Sequence, residues 1–193
     1  MIAATGLPAL AALAFGLLLF GIALAVRRWQ RVPEAGGRRD AASLAGIAVQ
    51  GAAFLLAWAG PVAVTLDPLS TTALVQAAAT AALLAVALVL FVWATAAMGR
   101  NWSLVARTRD DHRLVTTGPF AVVRHPIYTA LALVVVAVAL APGHVTHLVA
   151  ALPVYALGTW LRVRAEERLL RAMFGTAYAD YAARVKRFVP GLL

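Results

Sequence analysis

Long apolar runs, separated by short polar stretches, make up most of this chain. Three of them are long: Pro8 to Val26, Ala42 to Thr65, and Thr72 to Ala97. An α-helix rises about 1.5 Å per residue, so about 20 apolar residues cross the hydrocarbon of a bilayer. Each of the three therefore predicts a membrane-spanning helix. Two shorter runs follow, Pro126 to Ala141 and Val145 to Leu161, with Pro142-Gly143 close after the first. Proline and glycine cannot comfortably continue a helix, so this dipeptide predicts a tight hairpin. Short spans of this kind thin the bilayer locally, are screened by their neighbours, or enter and leave by the same face. The pattern predicts an all-α integral membrane protein with about five transmembrane helices. It shows no internal repeat and no low-complexity linker. Val32 to Asp40, with Pro33 and Gly36-Gly37, reads as a short polar loop.

Composition agrees with this pattern. Of 193 residues, 63% are hydrophobic and only 13% are charged, against about a quarter charged in a soluble domain. The net charge of +9 would suggest a nucleic-acid partner in a soluble protein, but its placement argues otherwise. All 17 Lys and Arg residues fall in three segments: after the first run, after the third, and in the tail beyond Leu161. The intervening loops have neither Lys nor Arg, and Asp67 is their only acid. Basic residues concentrate in cytoplasmic loops, so these three segments are expected inside and the N-terminus outside, in what would be a bacterial inner membrane. No basic region precedes the first apolar run, so it is expected to be a retained span and not a cleaved signal. Trp29, Trp58, Trp93, Trp102 and Trp160 lie within or near span ends and read as interfacial or packing aromatics. The absence of cysteine excludes disulfides, thiolate metal sites and a cysteine nucleophile.

Polar chemistry concentrates in two segments on the arginine-bearing side. The first, Gly99 to Tyr128, contains Arg124-His125-Pro126 at the start of the fourth run. Proline suits the first turn of a helix, whose free N–H groups favour an anion. Arg124 also reads as a topology anchor and His125 as an interfacial residue. The second segment, Arg162 to Pro190, reads as an amphipathic helix broken at Gly175 and followed by another helical piece. Leu169, Leu170, Met173 and Phe174 recur at helical spacing and are expected to form a buried stripe. Glu166 and Glu167, flanked by Arg164 and Arg168, read equally as helix ion pairs. Tyr178 and Tyr181 also read as interfacial anchors. The hairpin between the two segments brings them to the same membrane face. His144 and His147 lie at the other face without a carboxylate or thiol beside them, so no metal site is expected there.

Together the two segments resemble the isoprenylcysteine carboxyl methyltransferase family. TTGPFAVVRHPIY, a short hairpin, and then EERLLRAMFGTAYADYAARV carry the resemblance, which covers about half of the chain. The apolar runs give a three-span N-terminal region, 1–98, and the resemblance implies a methyltransferase-like region, 99–193, with a cytoplasmic helical part that binds S-adenosyl-L-methionine. By the same resemblance, Arg124, Glu166 and Glu167 would be catalytic. Leu114, Val115, Gly118, Pro119, His125, Pro126, Tyr128, Glu167, Tyr178 and Tyr181 would hold the cofactor. Phe174 and Gly175 match the second motif. Two positions depart from the family pattern: Ala130 stands where a glycine is usual, and Lys186 where a proline is usual.

The chemistry is consistent with that assignment. A carboxylate can meet the cationic part of the cofactor, an aromatic face can hold a sulfonium, and an arginine at a helix start suits a carboxylate. Methyl transfer to an ionised carboxylate needs alignment and desolvation but no general base. The expected acceptor is lipid-like or prenylated and held among membrane lipids. An amine acceptor, as in phospholipid N-methylation, would need a base. An NADPH-dependent reductase of sterol type and a non-enzymatic membrane protein are the remaining classes. The last predicts ionisable residues in mid-span, and none of the five runs contains a Lys, Arg, Asp or Glu.

Overall fold

A computed structural model describes residues 4–30, 41–99 and 113–191. The loop Val32 to Asp40, Arg100 to Arg109 and Trp102 fall outside these residues. The described chain runs β1 (Ala4–Thr5), α1 (Leu7–Trp29), α2 (Ala41–Trp58), β2 (Ala63–Val64), α3 (Thr71–Met98), α4 (Pro126–Leu140) and α5 (Leu148–Arg184). Short 3-10 turns at Gly118–Ala121 and Val145–His147 precede α4 and α5.

Among the described residues, three helices, α1, α2 and α3, are long and apolar enough to cross a membrane, with 23, 18 and 28 residues. Helix α4 is apolar but has only 15 residues, about 22 Å of rise against a hydrocarbon core of about 30 Å. The second run departs from its expected length. The helix stops at Trp58, because Gly60 takes a φ of 111° and Pro61 has no N–H to donate. Ala63–Val64 then extends to pair in parallel with Ala4–Thr5. The fifth run also differs. Its first residues form the 3-10 turn, and the helix continues far past Leu161 to Arg184, turning at Gly175 with φ 49° and ψ −121°. That break falls at the expected residue.

Helix α1 packs on α3, α3 on α4, and α2 on α5. Their shared core holds Leu13, Phe20, Leu84, Phe91, Val134, Val138 and Tyr155, with the Phe20 and Phe91 rings 4.7 Å apart. Large apolar side chains such as Phe15, Leu55, Val75 and Val89 point outward, as suits helices solvated by lipid and not water. Backbone groups in a bilayer need internal partners, and side chains supply these at the end remote from the arginines. Thr5 Oγ1 donates to the Ala141 carbonyl at 2.5 Å, and Gln76 Nε2 donates to that of Leu140 at 2.9 Å. The His144 ring nitrogens lie 3.1 Å from the carbonyls of Trp58 and Pro61. His144 also stacks on His147 at 4.7 Å. In the neutral ring one of the two His144 nitrogens donates to its carbonyl, and no group of three or more metal ligands occurs among the described residues.

Candidate active site

The site forms where the start of α4, the middle of α5 and the tail meet. Pro119 and Phe120, buried in the turn before α4, direct the chain toward the helix. His125 caps α4 and Pro126 is its first residue. The tail returns to this point as a short extended segment. Val123 bridges in parallel to Lys186. The Arg124 and His125 N–H groups donate to the carbonyls of Lys186 and Arg187 at 2.8 and 3.0 Å. This main-chain pairing sets the tail path at Lys186, the position that departs from the family pattern. It also brings Arg187 to the site.

Glu167 is the centre of the cluster. Its carboxylate is 2% exposed and accepts from Arg124 Nη2 at 3.0 Å, Arg187 Nε and Nη2 at 3.0 and 2.8 Å, and Arg171 Nη2 at 3.1 Å. His125 Nε2 lies 3.3 Å away. Arg124 also donates through Nη1 to the carbonyls of Ala182 and Val185, at 2.7 and 2.6 Å, where α5 ends. Burial by itself would raise the Glu167 carboxyl. The hydrogen bonds from His125, Arg187 and Arg124 overcome this and hold it well below the usual carboxylate range. The same bonds to Glu167 raise Arg187 further and keep it charged.

Glu166 occupies a different setting. Its side chain is 26% exposed and accepts from the Tyr128 hydroxyl. His125 Nδ1 stands 3.7 Å from its other oxygen. Arg162 Nη2 lies 4.0 Å from Glu166 Oε1, and Arg162 Cζ sits 5.0 Å from the Tyr128 ring centroid. Tyr155 donates to the Tyr128 carbonyl at 2.6 Å. The paired glutamates therefore divide their work. Glu167 is saturated by the protein's own cations, whereas Glu166 retains an open side.

The structure joins Arg124, His125, Tyr128, Glu166 and Glu167 in one network. Tyr178 and Tyr181 are buried, not interfacial, because the turn at Gly175 folds the end of α5 back onto Phe120, whose carbonyl accepts from Tyr181 at 2.6 Å. Burial pushes the Tyr181 hydroxyl up to about 12. Burial, and then the neighbouring Glu167 charge, raise Tyr178 well above its ordinary range. The Tyr178 hydroxyl lies close to Glu167 but outside hydrogen-bonding geometry, so it is a buried polar atom without a partner among the described residues. Gly118, Pro119 and Pro126 shape the approach to α4. Leu114 and Val115 lie half-buried in the irregular stretch before the turn, and their apolar side chains cannot join the ionic network.

Three expectations need correction. Leu169, Leu170, Met173 and Phe174 are half-buried, not fully buried; the inner face of this part of α5 is formed instead by Val163, Ala165 and Glu167. The glutamates do form helix ion pairs, Arg162 with Glu166 at 4.0 Å and Arg171 with Glu167 at 3.1 Å, but Arg164 instead stacks on Trp160 at 4.6 Å. Charge also reaches deeper than the apolar runs imply. Arg162 is 9% exposed and donates to Gln50 Oε1 at 3.0 Å, in the middle of α2. Its position one residue beyond Leu161 gave no sign of that reach. A side chain on a helix leans toward the N-terminus, which here is toward the other spans. Arg187 was also hidden from the sequence, 20 residues from Glu167 and readable only as a tail cation.

The chain is 34% identical over 102 residues to the cobalt-zinc-cadmium resistance protein CzcN of Cupriavidus metallidurans, covering 50% of this chain and 45% of that protein. It is 34% identical over 113 residues to the nickel-cobalt-cadmium resistance protein NccN of Alcaligenes xylosoxydans xylosoxydans, covering 58% and 52%. The chain thus aligns with about half the length of these curated relatives. The family model for phospholipid methyltransferases matches residues 75–177, just over half of the chain. That span takes in Arg124, His125, Tyr128, Glu166 and Glu167. With its motif residues drawn together at one end of an apolar helical bundle, the chain belongs to the phospholipid methyltransferase family, within the superfamily of isoprenylcysteine carboxyl methyltransferase-like membrane enzymes.

Proposed function

We propose that the protein uses S-adenosyl-L-methionine to methylate an acceptor that partitions into the membrane, at the cytoplasmic end of a five-span bundle, and that the acceptor atom is a carboxylate oxygen of isoprenylcysteine type. The observation that carries this reading is the division between the two glutamates. Glu167 and its arginines build a rigid floor, and Glu166, paired with Tyr128, stays open beside it.

The residues fit the cofactor by charge and shape. Glu166 suits its cationic part, the buried hydroxyl of Tyr178 has capacity for a polar group, and the rings of His125 and Tyr178 offer aromatic faces. When bound, the cofactor supplies an electrophilic methyl group. The protein's residues supply the rest. Arg162, beside Glu166 and Tyr128, attracts and orients an anionic acceptor. The surrounding apolar helices remove water from it, which strengthens that attraction and exposes the nucleophilic oxygen. No proton need be removed from an acid that is already ionised at neutral pH.

A second reading, methylation of a phospholipid amine, is favoured by the family description. In that case the arginines would meet the phosphate and the amine would need a base. Calorimetric titration of the purified protein in detergent with S-adenosylhomocysteine, with NADPH in parallel, tests the cofactor. Saturable binding of the first alone is expected; binding of NADPH alone would replace this reading with a reductase. Labelled methyl transferred to membranes then separates the acceptors. A methyl ester releases methanol in alkali, and an N-methyl group does not.

A further inference from the structure

Helix α2 lies outside the residues matched by the family model, yet it reaches the site through one side chain. Gln50, in the middle of α2, is 4% exposed. Its Nε2 donates to Thr159 Oγ1 at 2.8 Å, and its Oε1 accepts from Arg162 Nη1 at 3.0 Å. Two glycines make this contact possible. A Cβ on Gly46 would stand 2.4 Å from Arg162 Cγ and 2.7 Å from the Gly158 carbonyl oxygen. A Cβ on Gly158 would stand 2.8 Å from the Gln50 nitrogen. The two backbones therefore approach closely at the two glycines, and the aliphatic stem of Arg162 packs directly against Gly46.

An arginine at a membrane edge ordinarily extends its charged head toward water. Arg162 instead turns inward, where Gln50 receives it and its guanidinium remains against the Tyr128 ring and Glu166. We infer that Gln50 is a positioning residue of the methyltransferase site: it holds the Arg162 guanidinium beside Glu166 and Tyr128, and so links the N-terminal spans to catalysis. This inference rests on the proposed function. Gln50 itself touches no reacting atom. It acts by denying Arg162 its alternative, outward rotamers.

Two substitutions of similar size give opposite expectations for positioning and for packing. Gln50→Met preserves the unbranched shape and removes the acceptor. Gln50→Glu preserves the acceptor for Arg162 and allows Thr159 to donate in return. If Gln50 only fills space, Gln50→Met is silent and Gln50→Glu, which introduces a buried charge, is the damaging change. If Gln50 positions Arg162, Gln50→Met lowers kcat about ten- to a hundredfold, the range of one hydrogen bond to a charged group. Gln50→Glu then stays within about fivefold of the parent protein. Affinity for S-adenosylhomocysteine is expected to change by less than about threefold in Gln50→Met, because Arg162 positions the acceptor. The experiment measures kcat and KM with an N-acetylated S-prenylcysteine as the acceptor, and S-adenosylhomocysteine affinity, for the three proteins in the same detergent. A kcat for Gln50→Met within about threefold of the parent overturns the inference, and so does a larger loss in Gln50→Glu than in Gln50→Met. A parent protein that binds the cofactor product but has the second of these patterns loses only this inference. A parent protein that neither binds it nor transfers methyl groups overturns the proposed function, and this inference falls with it.

Discussion

Replacing Glu167 by glutamine tests the central claim about the site, because it removes one negative charge and little volume. The carboxylate has three arginine partners, and they do not contribute equally. Arg171 and Arg187 are 58% and 47% exposed. Exposed pairs of that kind contribute about 0–1 kcal/mol each. Arg124 is 8% exposed and Glu167 2%, and removal of one member of a buried pair costs about 3–5 kcal/mol, since the other is left charged and uncompensated. Glutamine retains a carbonyl oxygen that can accept one bond, so the lower end, about 3 kcal/mol, is expected. In a chain of this length each kcal/mol shifts Tm by about 2–4 °C, so Tm falls by about 6–12 °C. The assay is helical circular dichroism on heating in detergent at pH 7. As an internal control, Arg171→Ala should move Tm by about 4 °C at most. A Glu167→Gln melt within about 2 °C of the parent would show that the carboxylate is not the clamp described here. A loss as large in Arg171→Ala would show that the wrong partner had been weighted.

The remaining predictions concern acid, packing and topology. Glu167 has a folded-state pKa depressed below its unfolded value, so its stabilisation is complete above about pH 4.5 and is lost as pH falls toward the folded value. Melts of the parent should therefore weaken in acid below about pH 4.5, and the Glu167→Gln variant should show a shallower decline; parallel acid limbs would count against the linkage. Gly158→Ala forces a methyl group against the backbone nitrogen of Gln50 and should cost about 1–3 kcal/mol in the same melts, whereas an unchanged Tm would mean that α2 and α5 can separate freely. A cysteine at Asp67, in the exposed turn before α3, should be labelled in intact cells by a membrane-impermeant reagent; labelling only after lysis would reverse the orientation.

The parts of the structure that were legible in the sequence were those governed by local chemistry. α1 and α3 begin and end within about three residues of their apolar runs, because a lipid-facing helix and an apolar run are nearly the same object. Helix α2 was overestimated because the residues after Pro61 remain apolar while changing conformation, and hydropathy cannot distinguish a helix from an extended segment. At the site, Arg124, His125, Tyr128 and the glutamates were found by motif. Their allocation was not: which glutamate is saturated depends on Arg187, and its approach depends on main-chain pairing between 123–125 and 186–187. Gln50 was invisible for a related reason. A single amide in an apolar helix signals only that some partner exists, and the partner here lies 112 residues away.

The cap at the far end of the bundle has a consequence for assembly. Thr5 and the Ala141 carbonyl are 136 residues apart in sequence, and a polytopic chain enters its membrane in order. Thr5 is therefore made long before its partner Ala141, the residue that caps the end of α4. Until then α1 rests in lipid as an independent helix, stable on its own terms, and the bond through Thr5 records the arrival of α4. The cap can thus act as a late latch, closing only over a bundle whose helices have already found their neighbours.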